Sequence, residues 1–171
     1  MANDGCLAAL PRFLAALMGT SREPSVDDYY LRDDWMSPAE LSFHHVLRSA
    51  VGDRLTICLK VSLGDLIYAS HPDRGKALGL MNRIDRKHVD FLLCDRDTLR
   101  PLAGIELDDA SHRQARRQER DRFVESVFRA VGLPLLRARA RHAYNVVEVA
   151  ALVEGVLGAE APQPAPSTAA P

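Results

Sequence analysis

The chain lacks the features of several protein classes. Its three cysteines, Cys6, Cys58 and Cys94, have no C-x-x-C spacing and an odd count, which argues against a disulfide framework or a zinc knuckle and favours free thiols. No apolar run approaches the roughly 20 residues that cross a bilayer. Asp4 also stands where a signal peptide would carry Lys or Arg. We therefore expect a cytoplasmic protein that does not enter a membrane.

Lysine is also scarce, since only three of the 22 basic residues are Lys and the others are Arg. The net charge of the chain is -1, but the charge is unevenly distributed. The segment charges are -4 for residues 1–40, +2 for 41–99, +4 for 100–141 and -3 for 142–171. Arginine suits bidentate phosphate contacts, although codon bias explains the same excess. The basic middle and acidic ends are thus compatible with a nucleic-acid partner without requiring one.

The length of 171 residues and the apolar content of 47% predict one globular core. Residues 159–171 are mostly Ala and Pro, and we expect a disordered tail there. Residues 1–36 have Leu at helical spacing near the start and then an acidic stretch with Tyr29, Tyr30 and Trp35. This segment either packs on the core or docks a protein partner, and residues 37–158 form the predicted domain.

Within that domain the patterns predict the order helix, strand, hairpin, helix, strand, helix. Ser37, Pro38 and Glu40 form the start of a helix with a capping box, and Gly52 ends it. The other predicted elements are a strand over 56–62, a hairpin of strands 88–94 and 102–107 around the turn 95–98, a helix over 118–131, a strand over 133–138 and a helix over 146–157. Residues 64–86 are ambiguous between a short helix and a surface loop. The fold class is α/β of the α+β kind, a mixed sheet flanked by helices.

Three acidic residues of the hairpin carry the candidate chemistry. Asp90 lies in an apolar strand, where an unpaired carboxylate costs several kcal/mol, so it needs a metal, a cation or hydrogen-bond donors. Glu106 and Asp108 are two residues apart and share one face at a strand end. If the hairpin register brings Asp90 beside them, the cluster predicts a Mg²⁺ or Mn²⁺ site with oxygen ligands. Salt bridges to arginine are the competing interpretation.

The residues after this strand include a proton carrier and a basic helix start. His112 either deprotonates a water, binds the metal or caps the helix. The arginines either contact nucleic-acid phosphates or form a solvated helix face. They are Arg113, Arg116, Arg117 and Arg120. Asp121 falls on the inward helix face and either orients the site or pairs with Arg137. Glu40 also falls on an inward helix face, beside its capping role.

Together these motifs resemble a known family. They are Val89-Asp90-Phe91, Ile105-Glu106-Leu107-Asp108-Asp109 with Ser111-His112, Arg120-Asp121 and Gly132-Leu133-Pro134-Leu135-Leu136-Arg137. The set resembles a bacterial domain family of the PD-(D/E)XK restriction-endonuclease-like superfamily, near the very-short-patch-repair endonuclease branch, over roughly residues 37–139. The resemblance implies an αβββαβ core that hydrolyses phosphodiester bonds with Mg²⁺. It makes Asp90 the motif aspartate, Glu106 its acidic partner and Glu40 the acidic residue of the first helix.

The chain departs from this motif at its lysine. Asp108 stands where the lysine is expected, two residues after Glu106. Because repair-endonuclease-like relatives use histidine, the resemblance implies His112 as the replacement. Lys60 or Lys87 from a neighbouring strand is the alternative, although Lys87 falls on the opposite strand face from Asp90.

Three functional hypotheses follow. The first is a metal-dependent nuclease acting on DNA, with Asp90, Glu106 and Asp108 on the metal, His112 as general base and the arginines on the backbone. The second is a catalytically inactive module that binds nucleic acid or a protein. The third is a structural accessory domain whose acidic N-terminal segment docks a partner.

Overall fold

The computed structural model describes residues 24–108 and 115–158, with side chains for 24–108 and 121–158. The predicted N-terminal leucine helix, the predicted disordered tail, His112 and Arg113 lie outside the described residues. The side chains of Arg116, Arg117 and Arg120 also lie outside them. The chain divides into two units, residues 1–35 and 36–171. In the described part of the first, residues 24–35, a 3-10 turn, Val26–Asp28, follows the N-cap Ser25.

The described part of the second unit contains one four-stranded sheet in the order β1-β2-β3-β4. The strands are β1 (Leu55–Ser62), β2 (His88–Asp95), β3 (Pro101–Asp108) and β4 (Leu135–Arg139). The pairs β1–β2 and β2–β3 are antiparallel, and β3–β4 is parallel. The helices are α1 (Pro38–Val51), α2 (Leu63–Leu66), α3 (Arg74–Ile84), α4 (Ala115–Ala130) and α5 (Val146–Gly158). The predicted fold class, a mixed sheet flanked by helices, is confirmed.

Local sequence explains where these helices begin and end. Ser37 and Glu40 form the predicted capping box, in which the Glu40 side chain accepts from the Ser37 N–H at 2.7 Å. Gly132 follows α4 with a φ of 70°, a left-handed conformation that glycine adopts at low cost. The ambiguous residues 64–86 contain most of α2 and all of α3, so this excursion between β1 and β2 is more helical than its glycines and charges indicate.

Two apolar clusters lie on opposite faces of the sheet. The first joins α1 and α5 to the sheet through Phe43, Leu47, Phe91 and Ile105. The second joins α2, α3 and α4 to the other face. Its fully buried members include Leu63, Val89 and Phe128. No helix among the described residues is long and apolar enough to span a membrane.

The strand β1 changes faces at Lys60. Leu59 packs in the first cluster and Val61 in the second, although residues two apart on a regular strand share a face. Lys60 itself has a φ of 51°, in the left-handed region that side chains other than glycine rarely adopt. In β2, Val89 and Phe91 are likewise divided between the two clusters, with Asp90 between them. Lys60 and Asp90 therefore lie at the point where both strands change faces.

Candidate functional site

The carboxylates of the hairpin meet at one end of the sheet, where β2 begins and β3 ends. Phe91 pairs with Ile105, so the antiparallel register continued by one residue sets Asp90 opposite Glu106. The Leu107 N–H donates to Asp90 Oδ2 at 2.9 Å. This hydrogen bond from the β3 backbone holds the Asp90 carboxylate against the strand that carries Glu106.

Lys60 joins β1 and α1 to this strand end. Its ammonium forms a short contact with Glu40 Oε1 and lies 3.3 Å from Asp90 Oδ1. The side chains of Glu40 and Asp90 are 14% and 21% exposed, so the ion pairs are partly shielded from water. We call Glu40, Lys60 and Asp90 the Lys60 network.

Arg137 holds the other two carboxylates. The parallel register sets Glu106 directly beside Arg137, and Arg137 Nη2 lies 3.0 Å from Glu106 Oε2. Its Nη1 donates to Asp108 Oδ1 at 2.8 Å, and Nη2 also donates to the backbone carbonyl of Asp121 at 3.2 Å. We call Glu106, Asp108 and Arg137 the Arg137 network. It connects the end of β3 to helix α4.

One carboxyl group in each network, Glu106 and Asp90, has a raised pKa. Burial raises the pKa of Glu106 to about 7, with Arg137 opposing the shift and the charges of Asp90, Asp121 and Asp108 adding to it. Burial also raises the pKa of Asp90, against the Leu107 N–H and the Lys60 charge. Two adjoining carboxyl groups therefore resist ionisation, as expected for a site that gains from an additional cation.

The carboxylates that contact Lys60 raise its pKa by more than burial lowers it. Burial disfavours the ammonium, but the hydrogen bond to Glu40 and the charges of Asp90 and Glu40 raise the pKa of Lys60 above its ordinary value. For Glu40, burial raises the pKa, yet the bonds from Lys60 and Ser37 lower it overall. Lys60 and Glu40 are therefore a firmly charged pair.

The structure divides the predicted metal cluster between two cations. Glu106 and Asp108 pair with Arg137, as the interpretation as arginine salt bridges expects, whereas Asp90 pairs with Lys60 and not with an arginine. Within residues 24–108 and 121–158, no three His, Cys, Asp or Glu side chains are grouped so that they could hold one metal ion. The expectation that three carboxylates converge on one point is therefore replaced by Asp90 and Glu106 as neighbours, each with its own cation.

The structure also shows where two other predicted site residues, Lys87 and Asp121, lie. Lys87 does not reach the carboxylates and lies with its Nζ 5.7 Å from the centre of the Phe123 ring. Asp121 lies at the Arg137 network, where its carbonyl accepts from Arg137. Of the two lysines weighed as replacements for the motif lysine, the structure brings Lys60 to Asp90.

Sequence reasoning assigned Arg137 only to Asp121 and did not consider His44. The sequence feature that pointed to Arg137 was a cation within an apolar strand. Its pairing with Glu106 depends on the parallel register of β3 and β4, which patterns of neighbouring residues do not determine. His44 lies four residues after Glu40, hence on the same side of α1, and stacks on Phe91 with ring centres 6.4 Å apart. Burial lowers its pKa, as do the charges of His45 and Arg48, so a neutral imidazole stands near the Lys60 network.

A family model described as a protein of unknown function, DUF2726, matches residues 32–156, more than two thirds of the chain. The chain belongs to the DUF2726 family. No curated protein and no solved structure matches it. Both networks fall inside the part of the chain that the DUF2726 model matches, and so do α1 and the four strands that position them.

Proposed function

We propose that this protein is a metal-dependent nuclease that hydrolyses phosphodiester bonds, with DNA as its substrate. The observation that carries the proposal is the adjacency of Asp90 and Glu106 at one strand end, with the Lys60 ammonium against Asp90. Two neighbouring carboxylates and a cation are the groups that phosphodiester hydrolysis by a metal-bound water requires. The resemblance to PD-(D/E)XK nucleases supports the same conclusion from the sequence.

The donor set fits Mg²⁺ or Mn²⁺. Mg²⁺ is usually held by one or two carboxylates, with waters and substrate phosphates completing its shell. Asp90 and Glu106 supply two hard oxygen donors, so Asp108 is not needed as a third ligand and is better described as a partner of Arg137. When bound, the metal would lower the pKa of a water and stabilise charge on the scissile phosphate.

The remaining groups have separate roles in this proposal. Lys60 takes the place of the motif lysine and stabilises the charge that develops on the phosphoryl oxygens, while Glu40 keeps its ammonium in position. A water oxygen attacks phosphorus, the ester P–O bond breaks and the leaving oxygen takes a proton. His112, outside the described residues, stays the predicted general base, and Arg113, Arg116, Arg117 and Arg120 stay predicted backbone contacts.

One observation favours a second candidate, a nuclease-fold module that binds nucleic acid without cleaving it. Each of the four carboxyl groups of the two networks already has Lys60 or Arg137 as a cationic partner without a metal. Such a closed set of ion pairs is sufficient for stability, so a purely structural role for the site requires no further group.

A plasmid-nicking assay with Mg²⁺ or Mn²⁺ tests the proposal. We expect nicking by the wild type and a loss on the order of 100-fold or more in Asp90→Asn, because one metal donor is weakened. The matched control is Asp97→Asn, in the turn at the other end of the same hairpin, which should nick like the wild type. Calorimetric titration of Mn²⁺ into the same samples should show binding that Asp90→Asn loses.

Two outcomes would contradict the nuclease proposal. If neither the wild type nor any variant nicks DNA while all bind it in EDTA, the inactive module is the correct description. Equal nicking by the wild type and Asp90→Asn would place the activity elsewhere.

A further inference from the structure

The excursion between β1 and β2 carries a concentrated positive charge. Residues 71–88 contain five basic and two acidic residues, a net charge of +3 in a chain whose net charge is -1. The basic residues are Arg74, Lys76, Arg83, Arg86 and Lys87, all exposed except the half-buried Lys87. Of the acidic residues, Asp73 is engaged as the N-cap of α3. This surface therefore presents cations to solvent.

Two of these cations converge on one aromatic ring. The guanidinium carbon of Arg83 lies 4.1 Å from the centre of the Phe123 ring, and Lys87 Nζ lies 5.7 Å from it. Among the described residues, neither Arg83 nor Lys87 has a carboxylate within ion-pair distance. Cation–π contacts offset only part of the repulsion between two like charges. An anion bound between them would remove that repulsion.

The cation pair lies at the same end of the sheet as the carboxylates. Lys87 directly precedes β2, whose third residue is Asp90. Phe123 lies on α4, two residues after Asp121, whose carbonyl accepts from the Arg137 side chain that holds Glu106. A ligand that spans from Arg83 to Asp90 would therefore follow the surface formed by α3, α4 and the start of β2.

We propose that Arg83 and Lys87 together bind a backbone phosphate of double-stranded DNA, and that Lys76 binds a further phosphate of the same strand. Lys76 is seven residues before Arg83 on the same side of α3, about 10 Å along the helix axis. At about 3.4 Å per phosphate along one strand, that distance covers roughly three phosphates. Guanidinium and ammonium groups are the side chains that phosphates prefer. The identity of the ligand rests on the proposed function.

Binding measured in EDTA, where hydrolysis cannot proceed, tests this surface separately from catalysis. Fluorescence anisotropy of a labelled 20-base-pair duplex would be followed for the full chain over a range of salt concentrations. The test variant is Arg83→Gln/Lys87→Gln, and the matched control is Arg96→Gln/Arg100→Gln, which removes two exposed arginines near the β2–β3 turn. Phe123→Leu keeps both cations but removes the ring, and thermal unfolding would show whether each variant is folded.

We expect the test variant to bind about 10-fold more weakly at 0.1 M salt, because each lost phosphate contact changes the slope of log K against log salt by about 0.9. The slope should fall by about one for the test variant, which loses one phosphate contact, and stay unchanged for the control. Phe123→Leu should give an intermediate loss. Inorganic phosphate at matched ionic strength should not displace the duplex.

Several results would overturn this proposal. They are an unchanged slope in a folded test variant, an equal loss in the control, displacement of the duplex by inorganic phosphate, or no binding by the wild type. A wild type that binds through Arg83 and Lys87 but does not nick DNA would overturn only the nuclease proposal.

Discussion

Lys60 has an unfavourable backbone conformation and contacts both other members of its network. Its φ of 51° belongs to the left-handed region, which costs a side chain other than glycine about 1–2 kcal/mol. Its ammonium nevertheless joins Glu40 to Asp90. Residues in such conformations occur where the surrounding structure enforces them, often at functional sites. The positive φ at Lys60 coincides with the point where the neighbours of Lys60 and Asp90 depart from the regular alternation of strands β1 and β2.

Substitution of Lys60 by Gly and by Ala separates backbone strain from charge. Both changes remove the ammonium, but only glycine adopts the positive φ without strain, so Lys60→Gly should be about 1 kcal/mol more stable than Lys60→Ala. Urea unfolding measures the difference. At Thr56, in the regular part of β1, the same pair should have the opposite order, because glycine costs about 0.5–1 kcal/mol there. Equal or greater stability of Lys60→Ala would show that Lys60 is not left-handed in solution.

At the scale of elements, sequence patterns predicted the features that depend on residues close together in the chain. The capping box at Ser37 and the hairpin turn at 95–98 depend on neighbours in sequence, and both are present. The alternation predicted for β1 holds for Ile57 and Leu59 but breaks at Lys60, since Val61 packs in the second cluster. The hairpin that carries Asp90 and Glu106 was predicted, but its register was left open, and the structure shifts that register between Leu93 and Cys94. The pairing of Glu106 with Arg137 was missed because β3 and β4 are joined through α4, and no local pattern fixes a parallel register.

The packing of α4 on the sheet depends on a residue that sequence analysis did not single out. A Cβ added at Gly104 of β3 would lie 2.6 Å from the Phe128 ring and 3.1 Å from Leu135. Phe128 is 1% exposed, so its ring has little room to move. The absence of a side chain at Gly104 lets α4 approach β3 closely, and the same helix provides the Asp121 carbonyl to Arg137.

We expect Gly104→Ala to lower the free energy of unfolding by about 1–3 kcal/mol, because overpacking a buried contact displaces its neighbours. Urea unfolding would measure the loss, and Gly104→Ala combined with Phe128→Leu should recover part of it. Gly79 on α3 is the matched control, since nothing lies within 4 Å of its added Cβ. Gly79→Ala should instead stabilise the chain by up to about 1 kcal/mol, as alanine favours a helix over glycine. Equal effects at Gly79 and Gly104 would contradict the close approach of α4.

At the scale of the whole molecule, the near-neutral net charge conceals an arrangement in which opposite charges meet at one end of the sheet. The Lys60 and Arg137 networks bring acidic groups to this end, while Arg83 of α3 and Lys87, just before β2, bring cations. Segment charges predicted a basic middle, but only the folded chain shows which end of the sheet the carboxylates and these cations share. Because burial raises the pKa of Glu106, the stability of the molecule depends on pH.

The raised pKa of Glu106 determines whether stability rises or falls with pH. Between the ordinary glutamate value and about 7, the folded chain holds a proton on Glu106 that the unfolded chain has released, so stability falls as pH rises through that interval. The side chain is 16% exposed, and the shift corresponds to about 3 kcal/mol. In EDTA, the free energy of unfolding from urea titrations should therefore decrease from pH 5 to pH 8 in the wild type. Most of that decrease should be absent in Glu106→Gln.

Mn²⁺ should reverse this loss if Glu106 is a metal ligand. A metal binds the ionised carboxylate, so at pH 8 Mn²⁺ at 100 times its Kd should stabilise the wild type by about 2.7 kcal/mol. The same Mn²⁺ concentration should stabilise it less at pH 6, where Glu106 holds its proton. Glu125→Gln, on the exposed face of α4, is the control and should follow the wild type. A pH dependence shared by the wild type and Glu106→Gln would contradict the buried, protonated state of Glu106. Stabilisation by Mn²⁺ that persists unchanged in Glu106→Gln would exclude that carboxylate from the metal site.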